Sequence, residues 1–350
     1  MLELSFASVI GRPEVSYYDV EELRKDFKLK RILITGAGGS IGSEITRQIV
    51  HLGSSSILAT DRDENALHSL QLSIGGSALF DDERIGLLDV RDYIGCEKLI
   101  SDFEPDIVIH AAALKHLSAL EKQPREAYMT NVLGTHNILK AAINSGATNF
   151  VNISTDKAAS PTSILGKTKR IAEILTYAAF NETANRYNSV RFGNVFASKG
   201  SVLETFEFQI KNNLPITLTS ESVERYFMSV FEASALVLKT IPAAEIGIYT
   251  LDMGEPRKLI EVAHRLMKLL STTVPIAITG LRPGEKMHED LISEVEKYEN
   301  STVSNANLIS QVTDYGISEI KPLTTFDNAT TLEEIDRLLG FGMQNSQGKA

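Results

Sequence analysis

The chain has 350 residues and a mass of 38.4 kDa; 43% of the residues are hydrophobic and 23% charged, enough for roughly two domains with filled cores. Its 35 Lys and Arg against 45 Asp and Glu give a formal net charge of -10 and a pI near 5.3, which argues against a general nucleic-acid binder but not against a local basic pocket for a phosphorylated ligand. The single cysteine, Cys96, excludes an internal disulfide and a cysteine metal cluster, and no run of ~18 uncharged apolar residues predicts a membrane span.

Met1 to Arg12 lacks the pattern of a secretory signal, so a soluble cytoplasmic protein is the expectation. Residues 1–30 read as a polar N-terminal arm that carries Gly11-Arg12-Pro13. From Arg31 onward, short β-branched runs alternate with helix-length amphipathic segments. The predicted strands are 31–35, 56–60, 85–89, 106–110, 149–153 and 189–192. The predicted helices are 41–52, 64–74, 92–102, 125–145 and 165–181. This alternation implies an α/β fold, a Rossmann-like doubly wound parallel sheet with helices on both faces. One further strand at 247–251 is expected to return to the sheet.

The first strand runs straight into Thr35-Gly-Ala-Gly-Gly-Ser-Ile-Gly-Ser43. Gly36, Gly39 and Gly42, with Ser40 and Ile41 between the last two, form a turn through which backbone approaches a pyrophosphate at a helix N-terminus. The position after a strand and before a helix is what distinguishes it from an ordinary glycine turn. Asp61 ends the second strand, where a carboxylate accepts from an adenosine ribose 2′-OH and repels a 2′-phosphate; NAD is therefore favoured over NADP. Arg62, next to it, is able to pair with a 2′-phosphate instead, and Asp61 also reads as a plain helix N-cap. Asp89 and Val90, after the third strand, are expected beside the adenine or in a simple turn.

Domain boundaries follow. Residues 31–195 plus about 226–254 are expected as the dinucleotide-binding domain. About 196–225 plus 255–340 would form a smaller C-terminal substrate domain over the carboxyl edge of the sheet. Residues 341–350, rich in Gly, Gln, Asn and Ser, are expected to be disordered.

Ser154-Thr155-Asp156-Lys157 follows the fifth strand, at the edge where α/β sheets bind ligands. An acid beside a base suits an elimination; a surface Asp–Lys pair is the plain alternative. Lys157 starts near ~10.4 and would need depression to act as a base, with Lys169 and an oxidised nicotinamide as nearby positive charges. The seven histidines are scattered without metal spacing, and no Gly-x-Ser-x-Gly elbow occurs.

Gly36–Gly42, His110-Ala-Ala-Ala-Leu-Lys-His116, Asn131-Val-Leu-Gly-Thr135, Ser154–Lys157, Thr168-Lys169, Arg191-Phe-Gly-Asn194 and Arg282-Pro-Gly-Glu-Lys286 occur in that order. Together they resemble the extended short-chain dehydrogenase/reductases. More narrowly, they resemble the bacterial UDP-N-acetylglucosamine 4,6-dehydratases of polysaccharide biosynthesis, over roughly residues 10–295. Gly11-Arg12-Pro13 is similar to the lead-in of the large membrane-anchored members; without their transmembrane half, a soluble version is expected.

The resemblance implies oxidation of the sugar at C4, loss of water across C5–C6, and return of the hydride to C6. It assigns Lys157 as base, Asp156 as acid, and Lys169 and Ala111 to the cofactor; because Leu165 cannot take the C4 hydroxyl proton, Asp156, through Thr155, is expected to take it and deliver it to the C6 oxygen. Lys115, His116, Asn194, Arg225, Arg282 and Glu285 are assigned to the nucleotide sugar. Plain alternatives are a solvated helix lysine for Lys169, a structural residue for His116 and a surface ion pair for each arginine.

The sequence departs from the family at Leu165, one helical turn before Lys169, where Tyr-x-x-x-Lys or a methionine is usual; leucine exchanges no proton. The resemblance also implies a homo-oligomer through helices 125–145 and 165–181. A UDP-sugar 4-epimerase and a catalytically silent NAD-binding regulator remain as alternatives.

Overall fold

The computed structural model describes residues 5–15, 20–54, 56–77, 82–309 and 328–347. The N-terminal arm contains α1 (Phe6–Ile10) and α2 (Val20–Phe27). Gly11 ends α1 at φ 82, and a Cβ there would meet the Arg265 guanidinium at 1.8 Å, so only glycine serves. Strand and helix then alternate through β1 (Arg31–Thr35), α3 (Ser40–His51), β2 (Ser56–Asp61), α4 (Glu64–Gly75), β3 (Ile85–Leu87), α5 (Tyr93–Phe103) and β4 (Ile107–His110). After β4 come the short helices α6 (Leu117–Lys122) and α7 (Pro124–Ala127), a π-helical turn (Tyr128–Leu133) and α8 (Gly134–Ser145). The helix expected over 125–145 is thus interrupted. The chain continues with β5 (Asn149–Ile153), a 3-10 turn (Asp156–Ala158), α9 (Ile164–Thr183), β6 (Arg186–Arg191) and β7 (Asn194–Val195).

The remainder holds α10 (Val202–Lys211), β8 (Ile216–Leu218), β9 (Glu224–Arg225), β10 (Phe227–Met228), α11 (Val230–Thr240) and β11 (Ile248–Leu251). It ends with β12 (Arg257–Lys258), α12 (Leu259–Leu269), β13 (Ile276–Ile278), β14 (Ala306–Ile309) and α13 (Asn328–Gln347).

Eight strands form one sheet in the order β14-β11-β6-β5-β4-β1-β2-β3. All neighbours are parallel except β14, which pairs antiparallel with β11. This is the doubly wound Rossmann-like arrangement. The central strands β1 and β4 are buried on both faces, which is why they read as apolar runs. Ile32 and Ile34 enter the core under α3 and α11, while Leu33 between them enters the opposite core with α5, α8 and α9.

A third core lies beyond the carboxyl edge. Phe206, Ile216, Leu259, Val262 and Leu266 build it, and Phe6, Val9 and Ile10 of the arm are part of it. Arg12 fixes the arm by pairing with the buried Glu232 at 2.6 Å, and Glu232 also completes a capping box with Ser229 at the start of α11. The arm is therefore more than a lead-in to β1. α13 lays Ile335 and Leu338 into the core beside α9, with Lys167 and Asp336 paired at 2.6 Å, so it covers part of the helix face expected to meet a second copy. Of the tail expected to be disordered, 341–347 continue α13 and 348–350 lie outside the described residues. Among the described residues no helix is long and apolar enough to cross a membrane.

Candidate active site

β1 and β4 are neighbours in the sheet, yet the chain leaves them in opposite directions, toward β2 and toward β5. That reversal opens a crevice at their carboxyl ends. Gly36 turns the chain there at φ +69, and a Cβ would meet the Ala112 backbone nitrogen at 2.4 Å. A Cβ on Gly42 would lie 2.3 Å from the Gly36 carbonyl oxygen, so α3 approaches the loop this closely only as glycine. Gly39 caps α3 with no side-chain hydrogen bond, which leaves its first-turn N–H groups available to an anion.

Gly36, Gly39, Asp61, Arg62, Asp89, Val90 and Ala111 line one crevice, with Leu114 and Thr130 opposite. Ser40, Ile41 and Gly42 form the first turn of α3 beside it. Asp61 is not the N-cap of α4; Asp63 takes that place. Asp61 instead accepts from Gly38 N at 2.9 Å and from Asp63 N at 3.0 Å, and a carboxylate retains further acceptor capacity toward a ribose. Asp89 is engaged by Arg91 at 2.6 Å, which holds its carboxyl below the usual range. Glycine cradle, helix terminus and acidic strand end together fit a dinucleotide.

Deeper in, His110 is fully buried between Thr35 Oγ1 at 2.8 Å and Thr135 Oγ1 at 3.0 Å. Burial, with the charge of Lys169, pushes it down to about 3, so it is a neutral imidazole. Lys169 is buried on α9 and donates to Asn152 Oδ1 at 3.3 Å. Burial pushes its ammonium down to about 8, with Glu173 pulling the other way. It is not the solvated helix lysine of the plain reading. Leu165 lies one turn back, buried in the core beside α8. Asn131, in the π-helical turn, clamps the crevice wall by bonding both Leu114 N and Leu114 O and also reaching Thr168.

The 3-10 turn after β5 carries the reactive pair. Asp156 is 1% exposed. Its Oδ1 accepts from Thr155 Oγ1 at 2.9 Å and from Lys157 Nζ at 3.0 Å, whereas Oδ2 is buried with no partner among the described residues. Two glycines make room here. A Cβ on Gly166 would sit 2.3 Å from the Lys157 carbonyl oxygen, and one on Gly193 would press on Asp156 Oδ2 at 3.0 Å.

Lys157 also meets Glu289 Oε1 at 3.2 Å, a residue the sequence reading did not single out. The expected depression of Lys157 is corrected by this contact. Burial does act to lower the ammonium, but Asp156 and Glu289 outweigh it and hold Lys157 above its ordinary value. Lys169, expected to assist, donates instead to Asn152 Oδ1.

The residues assigned to the nucleotide sugar divide. Lys115, His116 and Arg282 are exposed at the crevice rim. Lys115 Nζ reaches Ser198 at 3.4 Å, the His116 ring lies over Gly200, and Arg282 approaches Ser118 at 3.5 Å. Asn194 is half-buried on β7, and its N–H donates to Tyr226 O. Arg225 departs from the expected phosphate ligand. It is 5% exposed, and its terminal N–H groups go to Glu224 O, Met287 O, Lys286 O and Glu285 Oε1. It therefore clamps the Arg282–Glu289 loop. Glu285 belongs to that clamp, accepting also from Thr219 and from Arg282 N. Lys199, likewise not singled out, crosses the glycine loop, with its N–H on Ser40 Oγ and Nζ on Gly38 O.

Behind this site lies a second charged cluster. The fully buried Arg191 bonds Glu173 at 2.7 Å through Nε and Glu296 at 2.8 Å through Nη1, and Arg170 bridges the same two carboxylates. Burial alone would raise Glu296; the hydrogen bonds and charge of Arg191 hold it down to about 2.

Residues 32–311 match the family described as polysaccharide biosynthesis protein. The chain belongs to this family. Within it, the chain is 41% identical over 296 residues to the probable polysaccharide biosynthesis protein EpsC of Bacillus subtilis, covering 82% of this chain and 49% of that protein. The chain thus spans about half the length of that curated relative. It is 33% identical to the UDP-glucose 4-epimerase of Rickettsia rickettsii, over 76% of this chain and 79% of that one. Among solved structures, Pen from Bacillus thuringiensis superposes with a TM-score of 0.73 at 30% identity, covering 90% of this chain and 98% of that one. DesIV from Streptomyces venezuelae, a dTDP-glucose 4,6-dehydratase solved with NAD and TYD, shares the fold at TM-score 0.67 and 16% identity, covering 89% and 97%.

Proposed function

We propose that this member of the polysaccharide biosynthesis family is an NAD-dependent nucleotide-sugar 4,6-dehydratase acting on UDP-N-acetylglucosamine. The observation that carries the reading is the buried Asp156–Lys157 pair at the carboxyl end of β5, with one carboxylate oxygen that has no partner among the described residues. Hydride transfer from C4 and back to C6 is the chemistry that a nicotinamide bound in the crevice supplies.

The chain's own residues supply the proton steps. With leucine at 165, the C4 hydroxyl proton passes through Thr155 Oγ1 to Asp156, along the 2.9 Å hydrogen bond. Asp156 then protonates the departing C6 oxygen. Lys157 takes the C5 proton, which the C4 ketone has acidified, and returns it to C5 after reduction at C6. We assign Lys115 and Arg282 at the rim, with Asn194 on β7, to the nucleotide diphosphate. Asp61 at the ribose end favours NAD.

The Rickettsia relative favours a second reading, a UDP-sugar 4-epimerase, which shares the C4 oxidation but needs no acid–base pair for C5 and C6. Incubation with NAD and UDP-N-acetylglucosamine, read by mass spectrometry, separates the two. Loss of one water is expected; an unchanged mass with inverted C4 would establish the epimerase, and no change on any nucleotide sugar would remove both.

A further inference from the structure

Lys157 must be neutral to accept the C5 proton, yet the fold holds it as an ammonium. Two carboxylates face its Nζ, Asp156 Oδ1 at 3.0 Å and Glu289 Oε1 at 3.2 Å, and Arg225 Nε stands 3.8 Å from the same Glu289 oxygen. Asp156 already has Thr155 as a hydrogen-bond donor and the C6 oxygen as its target. Glu289 has neither and is 8% exposed. It is delivered from a separate segment, because Arg225 grips the carbonyls of Lys286 and Met287 just ahead of it. Its carboxylate therefore reaches Lys157 from a different part of the chain than Asp156 does. Burial raises its carboxyl above the ordinary range and the charge of Asp156 adds to that, against Lys157 and Arg225.

We propose that Glu289 is the proton acceptor that frees Lys157 for the elimination. Within the buried pair, an N–H bond of Lys157 breaks and an O–H bond forms on Glu289, so an ammonium and a carboxylate become an amine and a carboxylic acid. No charge enters or leaves the pocket. The amine takes the C5 proton as the C6–O bond breaks, with Asp156 protonating the leaving oxygen. It gives that proton back to C5 when hydride returns to C6. Glu289 keeps its proton through the cycle and returns it to Lys157 when product leaves.

This inference rests on the dehydratase reading, and it makes a distinctive pH prediction. The internal transfer changes no proton count, so the reactive pair forms to the same extent at every pH where the charged pair persists. In Glu289→Gln the Lys157 proton must go to water, and the rate should climb about tenfold per pH unit until Lys157 titrates.

The test uses the full chain with NAD and UDP-N-acetylglucosamine. Water loss is measured in single turnovers from about pH 6 to 9, and Lys157 Nζ is followed by lysine-15N NMR, assigned with Lys157→Arg. A flat wild-type profile, a rising Glu289→Gln profile at least tenfold slower at neutrality, and a flat profile restored in Glu289→Asp are expected. The Nζ midpoint should fall in Glu289→Gln. A loss equal at every pH would make Glu289 a positioning residue only and overturn the relay. A variant faster than wild type at neutrality would leave Glu289 only an electrostatic brake on Lys157, which also overturns it. An unmoved Nζ midpoint would show that the contact is not made. If wild type dehydrates no nucleotide sugar, the relay falls with the function, and a lowered midpoint then separates failed chemistry from a failed contact.

Discussion

Two buried clusters, each of two carboxylates and two cations, lie back to back at the end of β5. Arg170, Arg191, Glu173 and Glu296 form one; Asp156, Lys157, Arg225 and Glu289 form the other. Adjacent residues serve them: Ser154 Oγ donates to Glu173 at 2.6 Å and Thr155 Oγ1 to Asp156 at 2.9 Å. The first cluster is closed. Glu173 accepts from Ser154 and Arg191 on one oxygen and from Arg191 and Arg170 on the other, and Ser293 N caps Glu296. The second is open, since Asp156 Oδ2 has no partner among the described residues and Lys157 is 20% exposed at its side chain. Buried charges whose lone pairs are all taken can only hold shape. A buried carboxylate with an oxygen to spare is able to take or give a proton.

The largest expected effect strikes the open cluster. Asp156→Asn keeps the shape but removes both the proton store and the C6 acid, so water loss should fall ~10³–10⁴-fold. C4 oxidation, read as NADH absorbance in one turnover, should fall with it. Near-normal C4 oxidation in this variant would remove the Thr155–Asp156 route.

The closed cluster should behave in the reverse sense. Arg191→Met leaves Glu173 and Glu296 facing each other with only Arg170 between them, and breaking a buried pair this way costs about 3–5 kcal/mol. Chemical denaturation should show that loss. Any fall in turnover should follow the folded fraction, because Glu289 reaches Lys157 through the Arg225 clamp. A stable Arg191→Met with lost turnover would merge the two clusters into one machine.

Acid sharpens the contrast. Glu296 is held down to about 2 from 4.5, so the folded state binds its proton less readily than the unfolded chain. The stability it contributes is present above pH ~4.5 and is lost as pH falls toward 2, by about 3 kcal/mol in all. Glu289 is raised, so it has the opposite sign and gives no such acid-side loss. Denaturation between pH ~5 and ~2 should therefore show a steeper slope in wild type than in Glu296→Gln. Equal slopes would mean that the closed cluster is not formed in solution.

The open cluster was half legible in sequence and the closed one was not. Thr155, Asp156 and Lys157 are contiguous after a strand with β-branched flanks, so position alone marks them. Glu289 lies 132 residues further on in an ordinary-looking Met-His-Glu-Asp run, and only the turn made by Arg282-Pro-Gly-Glu-Lys286, fixed by Arg225, brings it to Lys157. Arg170 and Glu173 were not singled out; their burial depends on the segment from Leu291 to Glu296 folding over them. The central strands β1 and β4 were legible because burial on both faces leaves a nearly unbroken apolar run. β14 was not, being an edge strand whose Ala-Asn-Leu-Ile carries no run long enough to signal. α1 and α13 were missed because each owes its place to packing against distant helices rather than to its own pattern.

The smallest expected effect concerns Leu165. Its side chain is 6% exposed and packs with the core beside α8, so it belongs to neither cluster. Leu165→Met conserves volume and should cost less than ~1.5 kcal/mol. Because the C4 hydroxyl proton leaves through Thr155 and Asp156, turnover should stay within about threefold of wild type. A thioether accepts hydrogen bonds only weakly, so it offers the C4 hydroxyl no competing base. A fall in C4 oxidation well beyond that range, with stability unchanged, would mean that this position aligns the sugar for hydride transfer. The open cluster would then extend down α9 toward Lys169, and the boundary between holding shape and doing chemistry would run through the helix rather than between Ser154 and Thr155.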